Sequence, residues 1–203
     1  MRHLRLGAAT AALLIVSACD APAAQQSPAP LPDCEWCGAP EAPRDLGHTA
    51  RLAPDGERGE RLVVTGRVTY ADGRPAPNVL VYAYQTNVGG VYPKRGDETG
   101  NARRHGYLRG WLRTGADGRY RIETIRPGSY PSRSEPAHIH MTVTPPGGDE
   151  RWIDSILFED DPLVTPAHRA RLENRGGPGI VRVARDASGV LSATRDITLE
   201  VKP

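Results

Sequence analysis

The chain has 203 residues, which is enough for one ordinary domain and an additional terminal segment. Hydrophobic residues make up 38% and charged residues 25% of the sequence, so it is neither disordered throughout nor a membrane-spanning bundle. The formal net charge is only +2, and no dense run of lysine and arginine is interleaved with aromatic residues. Nucleic acid is therefore not an expected partner.

The N-terminus has the organisation of an export signal. Basic residues stand at positions 2, 3 and 5, and an apolar stretch follows from Leu6 to Val16. This stretch is shorter than the ~20 residues needed to span a bilayer. It ends in Val16-Ser17-Ala18-Cys19, which resembles the bacterial lipobox, where the cysteine is lipidated and becomes the mature N-terminus. We expect residues 1–18 to be a lipoprotein signal peptide.

The predicted location follows from that signal. With Cys19 lipidated, the protein is expected to be exported and membrane-anchored, facing the periplasm or the cell exterior. Ordinary signal cleavage near residues 21–24 is the alternative, and it also places the protein outside the cytoplasm.

Residues 19–59 are predicted to form a disordered, lipidated tether. Seven prolines fall between Asp20 and Gly56, with little hydrophobic periodicity, so the segment has little apolar surface to bury. Within it lie Cys34 and Cys37, separated by two residues. A zinc site would need a second ligand pair, and an oxidising compartment favours a disulfide between the two thiols. Metal binding or redox chemistry at this pair is the alternative.

From Arg61 onward the sequence changes to short alternating strands separated by turns. The only helical pattern is short, and it opens with Thr165 and Pro166. We predict an all-β fold for residues 60–203: a β-sandwich of about eight short strands with one short helix, preceded by the tether. The predicted strands are 62–70, 79–85, 111–114, 119–124, 137–144, 152–158, 180–184 and 190–201, and the predicted helix is 165–174.

Two clusters carry candidate metal ligands. His138 and His140 stand two positions apart on a predicted strand, so their side chains share one face and can reach one ion. Two surface histidines on one strand are the alternative reading. Tyr92 and Tyr130 each lie in a loop rich in glycine and proline at a strand end. A loop tyrosine is more often a packing residue.

The order of these residues resembles a known family. The run 124–131, followed by 136–140, resembles the core of the catechol and protocatechuate intradiol dioxygenases, and segments 66–85, 89–92 and 158–163 also fit. The resemblance covers about residues 60 to 165. It implies that Tyr92, Tyr130, His138 and His140 bind a non-haem Fe(III) ion. It also implies that Tyr130 is the ligand that leaves and accepts a substrate proton, while Tyr92 stays.

The resemblance further implies an oxidoreductase of aromatic compound catabolism. Its substrate would be a catechol-type molecule, and O2 would cleave the ring between the two hydroxyl-bearing carbons. Two phenolate ligands are hard anionic donors, and they suit ferric iron better than the two-histidine, one-carboxylate set of Fe(II) oxygenases.

Two positions depart from the family pattern. The family commonly has arginine three residues before the first ligand histidine, where this chain has Glu135. Arg133 is expected to supply the missing charge and to be catalytic together with Tyr130. A glutamine that is common in the family corresponds here to Ser155.

These departures keep open a different class of protein. A non-catalytic metal-binding or ligand-binding β-sandwich of the cell envelope is the alternative function. The segments 66–68 and 72–75 resemble the opening of transthyretin-like and carboxypeptidase-regulatory modules, which share sandwich topology without this chemistry.

Overall fold

The strands form where apolar and polar residues alternate. In the long strand from Arg61 to Tyr70, every second residue from Leu62 to Val68 is buried, whereas Val63, Thr65 and Arg67 between them are half-buried or exposed. This period of two turns one face of a strand toward a core. The computed structural model describes residues 31–199, in which eleven strands, two short α-helices and one turn of 3-10 helix follow one another. The strands are β1 (Thr49–Arg51), β2 (Arg61–Tyr70), β3 (Leu80–Gln85), β4 (Arg109–Arg113), β5 (Arg119–Ile125), β6 (His138–Thr144), β7 (Arg151–Phe158), β8 (Ile180–Val181), β9 (Ala184–Arg185), β10 (Leu191–Thr194) and β11 (Ile197–Leu199), and the helices are α1 (Ala102–His105), α2 (Pro166–Arg169) and the 3-10 turn Ala39–Glu41.

The strands form two sheets that pack face to face, so the predicted all-β sandwich is confirmed. One sheet has the order β1-β5-β2-β10-β9, with β11 also paired to β2. The other has the order β4-β3-β6-β7-β8. The core between them combines Leu62 and Ile122 of the first sheet with Val81, Ile139 and Met141 of the second. None of the helices within residues 31–199 is long and apolar enough to cross a membrane.

The C-terminal part forms two strands where one was predicted. The segment 190–201 divides into β10 and β11 around Arg195, whose side chain is only 1% exposed. Its guanidinium group donates a hydrogen bond to the carbonyl oxygen of Gly176 at 3.0 Å. Its own carbonyl oxygen lies so close to Gly66 that a Cβ atom there would be 1.9 Å away. The division therefore depends on a contact between distant backbones.

The predicted helix 165–174 is shorter in the structure and ends at Arg169. The Thr165 hydroxyl caps its first turn by accepting a hydrogen bond from the His168 amide at 3.1 Å. The second helix, α1, was not predicted, because four residues carry almost no helical periodicity.

The prediction of a disordered tether is wrong for residues 31–59. A disulfide joins Cys34 to Cys37, and residues 31–42, here called the clasp, lie against the second sheet. The amides of Gly38 and Ala39 donate to the Glu150 carboxylate at 2.8 and 3.0 Å. Because the clasp forms hydrogen bonds with residues 60 or more positions away, composition alone does not reveal its order. The predicted signal peptide, Cys19 and residues 20–30 lie outside the described residues.

Candidate metal centre

Four side chains meet at one point near the start of β6. The Tyr92 and Tyr130 hydroxyl oxygens are 2.7 Å apart, and the Nε2 atoms of His138 and His140 are 2.9 Å apart. The Tyr130 oxygen lies 3.2 and 3.4 Å from these two nitrogens, and the Tyr92 oxygen lies 2.9 Å from that of His140. All four residues singled out as metal ligands in the sequence are therefore brought together.

The two histidines reach this point because they occupy the first and third positions of β6. Their side chains consequently leave the same face of the sheet. The His138 Nδ1–H group donates to the Pro136 carbonyl oxygen at 2.6 Å, which leaves a lone pair on Nε2. A hydrogen bond of this kind fixes the ring orientation of metal-binding histidines.

The two tyrosines come from loops that pack backbone against backbone. Tyr92 follows β3 and Tyr130 follows β5. A Cβ atom on Gly90 would lie 1.9 Å from the Ser129 carbonyl oxygen, and Gly90 has φ +75°, a conformation that favours glycine. The Gly128 amide donates to the Asn87 carbonyl oxygen at 2.9 Å. Glycine in these loops therefore lets the two phenol groups converge.

The electrostatics of the cluster favour neutral side chains in the absence of a cation. Burial lowers the pKa of His138, and it lowers that of His140 well below the usual value, helped by the neighbouring His138. Burial, followed by the hydrogen bond with Tyr130, raises the pKa of Tyr92. Neutral imidazoles present lone pairs to a metal, and a highly charged ion would reverse the preference for phenol over phenolate.

This donor set fits a hard ferric ion, since it contains two phenol oxygens and two imidazole nitrogens. Residues 31–199 contain no group of three or more His, Cys, Asp or Glu side chains arranged to hold a metal ion.

A cavity of about 280 Å³ opens beside the donor cluster. This volume lies just below the range that holds drug-sized ligands, so it suits a single ring. Tyr130 lines the cavity, whereas Tyr92 does not. The other side chains that form its wall are apolar (Trp152, Leu157, Leu172), belong to the donor cluster (His138, His140) or are polar and charged (Glu135, Asp154, Ser155, His168, Arg171, Glu173).

Arg133 does not occupy the place predicted for it. The Arg133 side chain is exposed and is not part of the cavity wall. Its backbone has φ +52° in a turn, where the Arg133 amide donates a hydrogen bond to the Tyr130 carbonyl oxygen at 2.7 Å. Arg171 is the arginine that lines the cavity. Sequence reasoning missed it because it lies far downstream of the histidines, and its only signal was the pair His168 and Arg171, three residues apart.

On the polar wall of the cavity, His168 lies between Arg171 and Glu135. Its Nδ1 atom lies 3.5 Å from an Arg171 guanidinium nitrogen and 4.0 Å from a Glu135 carboxylate oxygen. Glu135 and the guanidinium group of Arg171 therefore both line the cavity. Ser155, the other departure from the family pattern, places its hydroxyl 3.4 Å from His140 Nδ1, a long contact that gives this ring little support.

In this β-sandwich, two tyrosines and two histidines converge on one point beside a cavity that is large enough for a single ring. Comparison with protein families matches residues 38–175 to the family described as dioxygenase. The chain belongs to this dioxygenase family. The match starts at residue 38, within the predicted tether, and so includes part of the clasp.

Curated relatives carry the same family name. The chain is 36% identical over 129 residues to the protocatechuate 3,4-dioxygenase beta chain of Burkholderia cepacia, covering 60% of this chain and 55% of that protein. It is 32% identical over 129 residues to catechol 1,2-dioxygenase 1 of Acinetobacter lwoffii, covering 56% of this chain and 40% of that protein. The chain thus spans about half the length of the curated relatives that it matches.

Solved structures share the fold. The dioxygenase domain of a dioxygenase–carbohydrate-binding fusion from Streptomyces sp. SirexAA-E is similar with a TM-score of 0.58 and 27% identity, over 79% of this chain and 92% of that one. Catechol 1,2-dioxygenase from Acinetobacter sp. ADP1 has a TM-score of 0.59 over 78% of this chain and 58% of that one, and its 24% identity supports the fold alone.

Proposed function

We propose that this protein is an intradiol dioxygenase that holds one non-haem Fe(III) ion per chain and cleaves a catechol-type ring with O2. The observation that carries this proposal is the convergence of two phenol oxygens and two imidazole nitrogens beside the cavity, with five of their six pairs 2.7–3.4 Å apart. Tyr92, Tyr130, His138 and His140 would hold the ion. Bound there, iron would supply the Lewis-acid and redox chemistry that ring cleavage by O2 requires.

The two tyrosines have different roles. Tyr130 lines the cavity, so its oxygen lies where it can accept a proton from a hydroxyl group of an incoming catechol. Tyr92 is absent from the cavity wall and is packed within 6.0 Å of the Tyr84 ring, measured between centroids. Tyr92 would therefore be a fixed donor to the ion, whereas Tyr130 would be the tyrosine that accepts the substrate proton.

The rest of the cavity binds and orients the ring. Trp152, Leu157 and Leu172 provide apolar surface for its faces and edges. Arg171 stands on the polar wall, where its guanidinium charge stabilises negative charge on a deprotonated catechol.

The direct test is metal analysis and a visible spectrum of the purified protein. We expect about one iron per chain and a red to burgundy colour without haem, because phenolate-to-ferric charge transfer absorbs visible light. Tyr92→Phe should bleach much of this colour, and His138→Ala or His140→Ala should lose the metal, since each removes a donor of the cluster. Oxygen uptake with a panel of catechols measures catalysis separately.

The control is Tyr120→Phe, which removes a buried hydroxyl group in the other sheet and should leave iron and colour unchanged. A colourless protein that takes up zinc as readily as iron, and consumes no oxygen with any catechol, would contradict the proposal. It would favour the non-catalytic binding sandwich instead.

We also propose that the protein is exported and anchored by a lipid on Cys19. The lipobox-like run 16–19 supports this, and so does the Cys34–Cys37 disulfide, because such bonds persist mainly in oxidising compartments. Metabolic labelling with a clickable fatty acid should mark the wild type and not Cys19→Ala. Equal labelling of both proteins would contradict the anchor.

A further inference from the structure

The two histidines of the metal centre are supported in different ways. His138 is oriented by the 2.6 Å hydrogen bond from its Nδ1 to the Pro136 carbonyl oxygen. His140 has only the 3.4 Å contact between its Nδ1 and the Ser155 hydroxyl group. Its ring instead lies flat against Tyr84, with centroids 4.5 Å apart and planes inclined by 20°. Tyr84 is the direct cross-strand neighbour of His140 in the pairing of β3 with β6.

Tyr84 is held from its other side by a second histidine. The His105 ring stacks on it with centroids 3.7 Å apart and planes inclined by 10°. Tyr84 is only 6% exposed and His105 only 3%, so this stack of three rings is buried. A ring packed between two others has little freedom to tilt, and it restricts the His140 ring in turn.

His105 is fixed by two hydrogen bonds, one of which comes from the clasp. Its Nε2–H group donates to the Glu35 carbonyl oxygen at 2.7 Å, and its Nδ1 accepts from the Tyr82 hydroxyl group at 2.7 Å. Glu35 lies between the two cysteines of the disulfide. The Asn101 side-chain amide donates to the carbonyl oxygens of Cys34 and Cys37 at 2.8 and 2.9 Å, which fixes both ends of this small loop.

We propose that Tyr84 and His105 are positioning residues for the metal ligand His140, and that the Cys34–Cys37 loop positions His105. The inference rests on the proposed metal centre. Residues 34–37 are not part of the cavity lining. The loop acts through the stack: the Glu35 carbonyl orients His105, His105 backs Tyr84, and Tyr84 orients the imidazole of His140.

The test measures how fast a chelator removes iron from the full-length protein, which requires no catalysis. Tyr84→Leu removes the aromatic face and should speed iron release by roughly tenfold, since groups that orient a metal ligand typically contribute 10–100-fold to metal affinity. Tyr84→Phe keeps the ring and should restore the wild-type rate. The visible band should shift in Tyr84→Leu and not in Tyr84→Phe, because the geometry of the donor set changes only in the former.

The role of the loop is tested by a double-mutant cycle. Cys34→Ser with Cys37→Ser, and His105→Ala, should each speed iron release by several-fold. Combined, they should release iron no faster than His105→Ala alone, because the loop acts through His105. Tyr120→Phe, matched in burial but in the other sheet, is the control and should leave the rate unchanged.

The outcomes separate this inference from the proposed function. Wild-type iron release from Tyr84→Leu, or independent effects of the cysteine pair and His105→Ala, would overturn the positioning roles even if catechols are cleaved. If the wild-type protein retains iron but cleaves no catechol, the result would count against the proposed function and would leave the positioning roles standing.

Discussion

Arg133 and Arg171 differ in whether their side chains reach the cavity, and sequence distance from the ligand histidines does not predict which of them does. Arg133 is close in sequence to the ligand histidines, yet it lies in an exposed turn outside the cavity. Arg171 follows α2 and lines the wall beside His168. Arg171 is therefore our candidate for the charge that the sequence analysis assigned to Arg133.

Arg171→Gln is expected to lower kcat/KM for ring cleavage by roughly 10²-fold with iron still bound, because removing a preorganised charge contact typically costs about 10²–10³ in rate. Steady-state oxygen uptake with a neutral catechol measures the effect. Arg133→Gln is the matched control and should stay within about twofold of the wild type. A large loss in Arg133→Gln, or none in Arg171→Gln, would reverse the assignment.

Glu135 should affect which catechols bind. Its carboxylate lies on the cavity wall 4.0 Å from His168 Nδ1, and its side chain is 51% exposed. A charge this exposed is worth only ~0.2–1 kcal/mol, so Glu135→Gln should lower KM for a carboxylated catechol by at most about fivefold relative to 4-methylcatechol. The ratio of the two KM values, for 3,4-dihydroxybenzoate and 4-methylcatechol, is the measurement. An unchanged ratio would show that Glu135 faces away from bound substrate.

At the scale of elements, the site depends on the close approach of the two loops that carry the tyrosines. Gly90→Ala would place a Cβ atom 1.9 Å from the Ser129 carbonyl oxygen. We expect it to lower the iron content strongly and the free energy of unfolding by about 1–3 kcal/mol. Gly147 has a similar φ of +71° with open space around its Cβ position, so Gly147→Ala introduces the backbone strain without the steric contact and serves as the control. Iron content and urea denaturation compare the two, and equal iron in both variants would exclude the close approach as the cause.

The sequence predicted the elements that carry their own pattern. The alternation in β2 and the His138–His140 spacing are local, so both were identified before the structure. The three-residue strand β1 was missed because its parallel pairing with β5 joins Thr49 to Arg121, far apart in the chain. The clasp was missed for the same reason, since its partners include Glu150.

The candidate site divides in the same way. The four donors lie in loops and a strand whose sequence resembles a known family, and they were all predicted. The polar wall comes from α2 and the segment after it, and Arg171 reaches the cavity only through tertiary packing. The support of His140 by Tyr84 and His105 likewise depends on the pairing of strands, which spacing along the chain does not show.

For the whole molecule, buried His105 links stability to pH. Burial lowers the pKa of His105 from 6.5 to about 4. Between these values the unfolded chain binds a proton that the folded protein does not, so the free energy of unfolding falls as the pH falls through this window. The contribution is at most about 3 kcal/mol.

His105→Gln should therefore show a shallower loss of stability between pH 6.5 and pH 4 than the wild type. Urea denaturation of the metal-free protein at several pH values measures the slope. The slopes are compared because the variant also loses stability at every pH from the broken hydrogen bonds, and a constant loss does not change the slope. Identical slopes would mean that His105 does not carry this linkage.

The buried Arg195 helps to order one wall of the cavity, which affects the conformational entropy lost when a ligand binds. Its guanidinium group donates a hydrogen bond to the Gly176 carbonyl oxygen at 3.0 Å, and the same oxygen accepts a hydrogen bond from the Thr198 amide at 3.1 Å. The Asn174 amide is held by the Asp154 carboxylate at 2.8 Å, and Glu173 next to it lines the cavity. This wall is thereby attached to the interior of the sandwich and is already ordered before a ring enters. Substrate therefore need not order it on binding, and the conformational freedom lost on binding is mainly its own.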